Sequence, residues 1–158
     1  MRALVRHADA GSKRDWVGPD ADRPLSREGW DQAVGLVGLL AGVRVQRLLT
    51  SPLLRCRQTL EPLAAALALA MEPLEELSVG VEVARLIAVL EQPRTEGAVL
   101  CTHGEVLQVL FARLDARAML ADRVEPPWQK GSAWVVERSA SGFRGHYLAP
   151  RNPLAGGS

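Results

Sequence analysis

The chain alternates short apolar runs with stretches in which apolar residues recur every three or four positions, the periodicities of buried strands and of half-buried helices. Residues 2–7, RALVRH, place three apolar residues together and predict a short buried strand ending at His7. From Ala8 to Leu25 the pattern breaks: Gly11, Gly18, Pro19 and Pro24 stand among seven charged residues. An irregular loop of that length inside a compact domain is characteristic of a binding loop or lid. Ser26 is a fitting N-cap, and Trp30, Ala33, Val34, Val37, Leu40 and Ala41 then outline an inward face, predicting a helix over 27–41. Residues 45–50, VQRLLT, form a second strand. Ser51-Pro52 reads as the start of a second helix that carries Cys56, Leu60, Leu63 and Leu67 inward, with Pro62 expected to kink or divide it.

Met71 to Leu74 suggests a brief edge strand, and Val83, Leu86, Ile87 and Leu90 a third helix. Residues 97–102, GAVLCT, are again a strand. Thr102 and Glu105 match the capping-box pattern, so a helix is expected from about His103, directing Val106, Leu107, Leu110 and Leu114 inward. After a connector rich in charge and proline, segments 132–138 and 143–148 flank Ser139-Ala140-Ser141-Gly142 and predict a late pair of strands. Strands alternating with helices imply a mainly parallel sheet covered on both faces, a three-layer α/β/α sandwich, with ligands beyond the carboxyl ends of the strands. Three polar clusters fall at those ends: Arg6-His7, Ser51 to Arg55, and Thr102-His103.

Composition narrows the function. A chain of 158 residues fits one domain, read here as 1–152 with a small, flexible tail at 153–158. Its formal net charge of +1 gives no broad field toward a nucleic acid polymer or an anionic membrane. Cys56 and Cys101 lack the short spacing of zinc or redox sites and read as reduced packing residues. No run reaches the roughly 18 apolar residues of a spanning helix, and the N-terminal MRALVRHADA has no secretory apolar run, so the expected location is cytoplasmic.

The three clusters suit phosphoryl chemistry. A neutral imidazole attacks phosphorus, and two guanidiniums fork onto the equatorial oxygens and offset their charge, which makes a metal unnecessary. Arg55, about one turn into a helix, is helped by that helix's N-terminal amides. His103 is placed to donate to a phosphoryl oxygen while His7 attacks in line. Lys13 and Arg14 are candidates for contacts to an anionic substrate, and Trp16, Trp30, Trp128 and Trp134 for packing or stacking. His146 reads as structural and Arg57 as solvated.

In order, LVRHADAG (4–11), TSPLLRCRQT (50–59) and VLCTHGEV (99–106) resemble the R-H-G, S-P-x-x-R-x-x-Q-T and T-H-G elements of the histidine phosphatase superfamily, the phosphoglycerate mutase-like fold. The glycine of R-H-G is Ala8 here, as in small members of that family. The resemblance implies a metal-independent phosphatase with no cofactor. His7 would become phosphorylated, Arg6, Arg55 and His103 would bind the phosphoryl group, and a mid-chain carboxylate, Glu76 rather than Glu75, would donate a proton. The short chain is similar to compact SixA-type phosphohistidine phosphatases. KGSAWVVE (130–137), CRQTLEPLAA (56–65) and CTHGE (101–105) are also similar to histidine phosphatase domains fused behind Nudix hydrolase domains, although no Nudix box occurs in this sequence. The implied partner is a phosphorylated small molecule or phosphoprotein, with specificity expected from the 8–25 loop and the 115–130 connector. The alternative is a non-catalytic module that binds a phosphorylated partner.

Overall fold

The structure is a computed structural model that describes residues 1–116 and 128–151. The middle of the 115–130 connector and the 153–158 tail therefore lie outside the described residues. Six strands form one sheet: β1 (Arg2–Arg6), β2 (Arg47–Thr50), β3 (Met71–Pro73), β4 (Ala98–Thr102), β5 (Ala133–Ser139) and β6 (Gly142–Leu148). Four helices accompany them: α1 (Arg27–Leu39), α2 (Leu54–Leu67), α3 (Val83–Glu91) and α4 (Gly104–Ala116). The strand order is β3-β2-β4-β1-β5-β6. The first four strands in that order run parallel, and β5 and β6 close the far side antiparallel.

Alternation along each strand builds the three layers. Ala3 and Val5 of β1, Leu48 of β2, and Val99 and Cys101 of β4 face one side, where they meet Leu36 from α1, Leu40 just after it, and Cys56, Leu60 and Leu63 from α2. Leu4, Leu49, Ala98 and Leu100 face the other side, packing with Leu86, Ile87 and Leu90 of α3, Leu107, Leu110, Phe111 and Leu114 of α4, and Trp134 and Phe143 of the hairpin. Each fully buried leucine, isoleucine, valine or phenylalanine among them stabilises the fold by roughly 1.5–3 kcal/mol. Phe111 also stacks on Trp128 at 5.1 Å, and Trp134 is fully buried beneath them.

Several expectations shift in detail. Ser26 does cap α1, its hydroxyl accepting from the Gly29 amide, but Val34 points to solvent. α2 starts at Leu54, not at Ser51-Pro52, and runs without division through Pro62. The capping box at Thr102 does not form, because the Thr102 hydroxyl donates instead to the Leu77 carbonyl at 2.6 Å. That bond ties the short turn Glu75–Leu77 to the end of β4. Among the described residues no helix is long and apolar enough to cross a membrane.

Candidate active site

β4 lies between β2 and β1, so the three polar clusters end side by side. The strands continue their pairing beyond their formal ends: the His7 amide donates to Thr102 O at 2.9 Å and the Ser51 amide to Cys101 O at 3.0 Å. Backbone hydrogen bonding of this kind leaves His7, Ser51 and His103 little freedom of position. His7 and His103 meet edge to face, ring centroids 5.4 Å apart, and are 7% and 1% exposed.

His7 Nδ1 lies 2.8 Å from the Ala8 carbonyl oxygen. A carbonyl only accepts, so Nδ1 carries the hydrogen and the neutral ring keeps its lone pair on Nε2. Burial lowers the His7 pKa to about 3; the Ala8 bond pulls it upward, and His103 together with the charges of Arg55 and Arg6 pushes it down. The ring is therefore neutral across the physiological range.

Arg6 donates from Nη1 to the Trp128 carbonyl, which links the first strand to the segment before β5. Its guanidinium lies against Gly104, where an added Cβ would come 2.9 Å from Arg6 Cζ and Nε. Glycine at the start of α4 thus makes room for the arginine. Arg55, in the first turn of α2, donates from Nη1 to Asp20 O at 2.9 Å and from Nη2 to Asp20 Oδ2 at 3.1 Å. The Nε atoms of both arginines are buried and have no hydrogen-bond partner among the described residues.

Sequence reasoning missed the groups that hold this set in place. Ser51 Oγ sits 2.9 Å from His103 Nε2, with the Cys56 sulfur at 3.7 Å on the same nitrogen. Burial would raise the Cys56 thiol, but hydrogen bonds with Cys101 and His103 bring it down to about 6. Thr59 Oγ1 accepts from the Ala8 amide and donates to the Arg55 carbonyl, coupling the first cluster to α2. The 8–25 loop is folded over the site. Arg23 bonds the Ala10 carbonyl and the Asp20 carboxylate, Gln58 accepts from the Leu25 amide, and Asp9 accepts from Ser26 and Lys130 at 2.6 Å each. Desolvation works against the Asp9 carboxylate, yet the Lys130 and Ser26 bonds hold its pKa down at about 2. Asp20 is likewise lowered: burial opposes, and Arg23 and Arg55 outweigh it. Ser51, Gln58 and Thr59 are positions of the S-P-x-x-R-x-x-Q-T element, whereas the contacts of Asp9, Asp20 and Arg23 had only the unusual length of the loop as a signal.

Of the residues singled out from sequence, His7, Arg6, Arg55 and His103 come together. Glu76 does not join them through a hydrogen bond. Its carboxylate is bound by Arg85 Nη2 at 3.0 Å and lines, with Glu105 and Val109, a hollow of about 220 Å³. Glu75 is exposed and accepts from Ser78. Lys13 and Arg14 are exposed, Trp16 donates to the Pro19 carbonyl, and exposed His146 sits opposite Val135 in the hairpin. Among the described residues, no three His, Cys, Asp or Glu side chains are grouped as a metal site.

The chain is similar to known proteins in sequence and in fold. Residues 3–81 match the family model described as histidine phosphatase superfamily, branch 1. The chain is 33% identical over 153 residues to an 8-oxo-(d)GTP phosphatase of Mycolicibacterium smegmatis, covering 93% of this chain but only 47% of that protein. It is 32% identical over 118 residues to the phosphohistidine phosphatase SixA of Escherichia coli, covering 70% of this chain and 71% of the relative. A solved structure of the protein histidine phosphatase SixA complexed with tungstate superimposes with a TM-score of 0.75 at 27% identity, covering 98% of this chain and 97% of the other.

Proposed function

The chain belongs to the histidine phosphatase superfamily, and from that premise we propose that it is a phosphatase that works through a phosphohistidine on His7. The observation that carries the reading is the His7 Nδ1–H bond to Ala8 O, which leaves an unprotonated Nε2 in a ring kept neutral by its surroundings. In the first step the Nε2 lone pair forms a bond to phosphorus as the bond to the leaving group breaks. In the second, water attacks phosphorus, the P–Nε2 bond breaks, inorganic phosphate departs, and the water proton passes to solvent. Arg6, Arg55 and His103 hold the equatorial oxygens and offset the charge that spreads over them in the transition state.

The substrate class follows from the carboxylates. Among the described residues, the carboxylates that bond the 8–25 loop and Arg55 are Asp9 and Asp20, both held ionised by cationic partners, so neither stores a proton for a leaving group. An alkoxide leaving group needs such a proton. A phosphoramidate does not, because the free nitrogen of a phosphohistidine ring takes its proton from water and leaves as neutral imidazole. We therefore favour a phosphohistidine-bearing protein over an alkyl phosphomonoester, in keeping with the name of the Escherichia coli relative.

The test is hydrolysis, with EDTA present, of para-nitrophenyl phosphate and of a phosphohistidine peptide by the wild type, His7→Ala and Glu76→Ala. Turnover of both substrates that vanishes in His7→Ala and survives in Glu76→Ala is the expected result. Full activity in His7→Ala would refute the phosphohistidine. A loss confined to the ester in Glu76→Ala would restore Glu76 as proton donor.

A further inference from the structure

A guanidinium offers five N–H donors along separate edges, and what it recognises depends on which edge the protein has already taken. In Arg55 the end-on edge is taken by one residue of the 8–25 loop. The Asp20 carbonyl accepts from Nη1 and the Asp20 carboxylate from Nη2. Nε, on the side-on edge, is buried and has no hydrogen-bond partner among the described residues. The Arg55 side chain is 6% exposed, so it cannot rotate to exchange these edges without unpacking.

Asp20 is itself fixed from behind. Arg23 Nε bonds Asp20 Oδ1 at 3.1 Å, while Arg23 Nη1 reaches the Ala10 carbonyl at 2.9 Å, two residues past Ala8. Ala10 belongs to the segment that runs on from His7 and is packed with Ala8, Leu25 and Ala33. Thus a continuous chain of contacts, Ala10 to Arg23 to Asp20 to Arg55, joins the segment after the proposed nucleophile to the proposed phosphoryl-binding arginine. Charge arithmetic agrees with the arrangement. Arg6, Arg23 and Arg55 contribute three positive charges and Asp20 removes one, which leaves two to meet a dianionic phosphoryl group around a neutral His7.

We propose that Asp20 is a positioning residue for phosphoryl recognition: by holding the end-on edge of Arg55, it presents the side-on edge to the phosphoryl oxygens. The inference rests on the phosphatase reading above, since it assigns Arg55 to the phosphoryl group. It also gives the length of the 8–25 loop a purpose, because a shorter connection would leave Arg55 to choose its own rotamer. Held by two arginines, Asp20 stays a carboxylate and gives no proton.

The test is the affinity for inorganic phosphate, by isothermal titration, in the wild type, Asp20→Ala and Asp20→Asn, with para-nitrophenyl phosphate turnover measured on the same preparations. Asp20→Ala should weaken phosphate binding about tenfold and raise KM in parallel, the factor that one weakened charge-assisted hydrogen bond corresponds to. Asp20→Asn retains an oxygen acceptor of the same reach and should recover most of the loss, which a general loosening of the loop would not reproduce. An active wild type whose phosphate affinity is unchanged in Asp20→Ala, or equally weakened in both variants, overturns the role of Asp20 alone. A wild type that neither turns over the ester nor binds phosphate overturns the phosphatase reading and this one with it.

Discussion

Replacing Gly104 by alanine separates stability from function. Gly104 opens α4, where alanine is favoured over glycine by up to about 1 kcal/mol from helix propensity alone. The added Cβ, however, would stand 2.9 Å from Arg6 Cζ and Nε. Carbon atoms pack best about 3.5–4.0 Å apart, so the guanidinium must retreat by roughly 0.6–1 Å. It cannot do so freely, because its Nη1 is bonded to the Trp128 carbonyl. A displacement of that size in a group that orients the reacting phosphoryl costs on the order of 10²-fold. Gly104→Ala should therefore keep its melting temperature within about 2 °C of the wild type, while kcat/KM on para-nitrophenyl phosphate falls by roughly 10- to 100-fold. Thermal unfolding by circular dichroism and steady-state kinetics on one preparation decide it. Activity within twofold of wild type would refute the placement of Arg6 against the phosphoryl group, and a fall of many degrees in melting temperature would show that the clash is taken up by the backbone instead.

Two further predictions follow from the same geometry. Ser51→Ala strips the hydroxyl from a fully buried pair and leaves His103 Nε2, among the described residues, with a sulfur neighbour at 3.7 Å; a loss of about 1–2 kcal/mol, seen as a melting point lower by about 2–8 °C, should accompany weaker phosphate binding, and unchanged values in both would dismiss Ser51 as a support. His7 is neutral in the folded protein down to about pH 3, whereas unfolded histidine protonates near its ordinary value of 6.5. Between those values the unfolded chain binds the extra proton, so His7 makes stability fall as pH falls, by about 1.4 kcal/mol per pH unit across that window. Urea unfolding from pH 6.5 to pH 4 should show this slope in the wild type and lose it in His7→Gln; parallel slopes would mean that His7 is not buried as a neutral ring.

Much of the architecture was legible from side-chain pattern. Buried strands such as 98–102 and helices such as 83–91 announce themselves because burial on one or both faces writes the periodicity directly into the sequence. The four groups proposed for the phosphoryl site were legible for a related reason: Arg6, His7 and His103 sit at or just beyond a strand's carboxyl end and Arg55 in the first turn of the helix that follows one, in segments whose spacing resembles the family's. Local chemistry was read less well where a side chain had two partners to choose from. Ser51 and Thr102 both looked like helix caps, and both instead serve distant groups, His103 and the Leu77 carbonyl.

The sequence alone thus determined which segments are buried, how they alternate around a sheet, and which histidines and arginines lie near its rim, because each of these depends on neighbours a few residues away. Tertiary structure alone decided how those groups are held. The Asp20 grip on Arg55 spans 35 residues and the Ser51 contact to His103 spans 52. Such pairings depend on strand order and on the path of an irregular loop, and neither leaves a periodic trace in the chain. The same holds for Glu76, whose partner was set by the packing of α3 against the turn before it and not by its place in a motif. Short-range hydrogen bonds can be guessed from residue type, but a long-range one exists only after the backbone has closed the loop between its ends, and the entropy of that closure is met by the core as a whole.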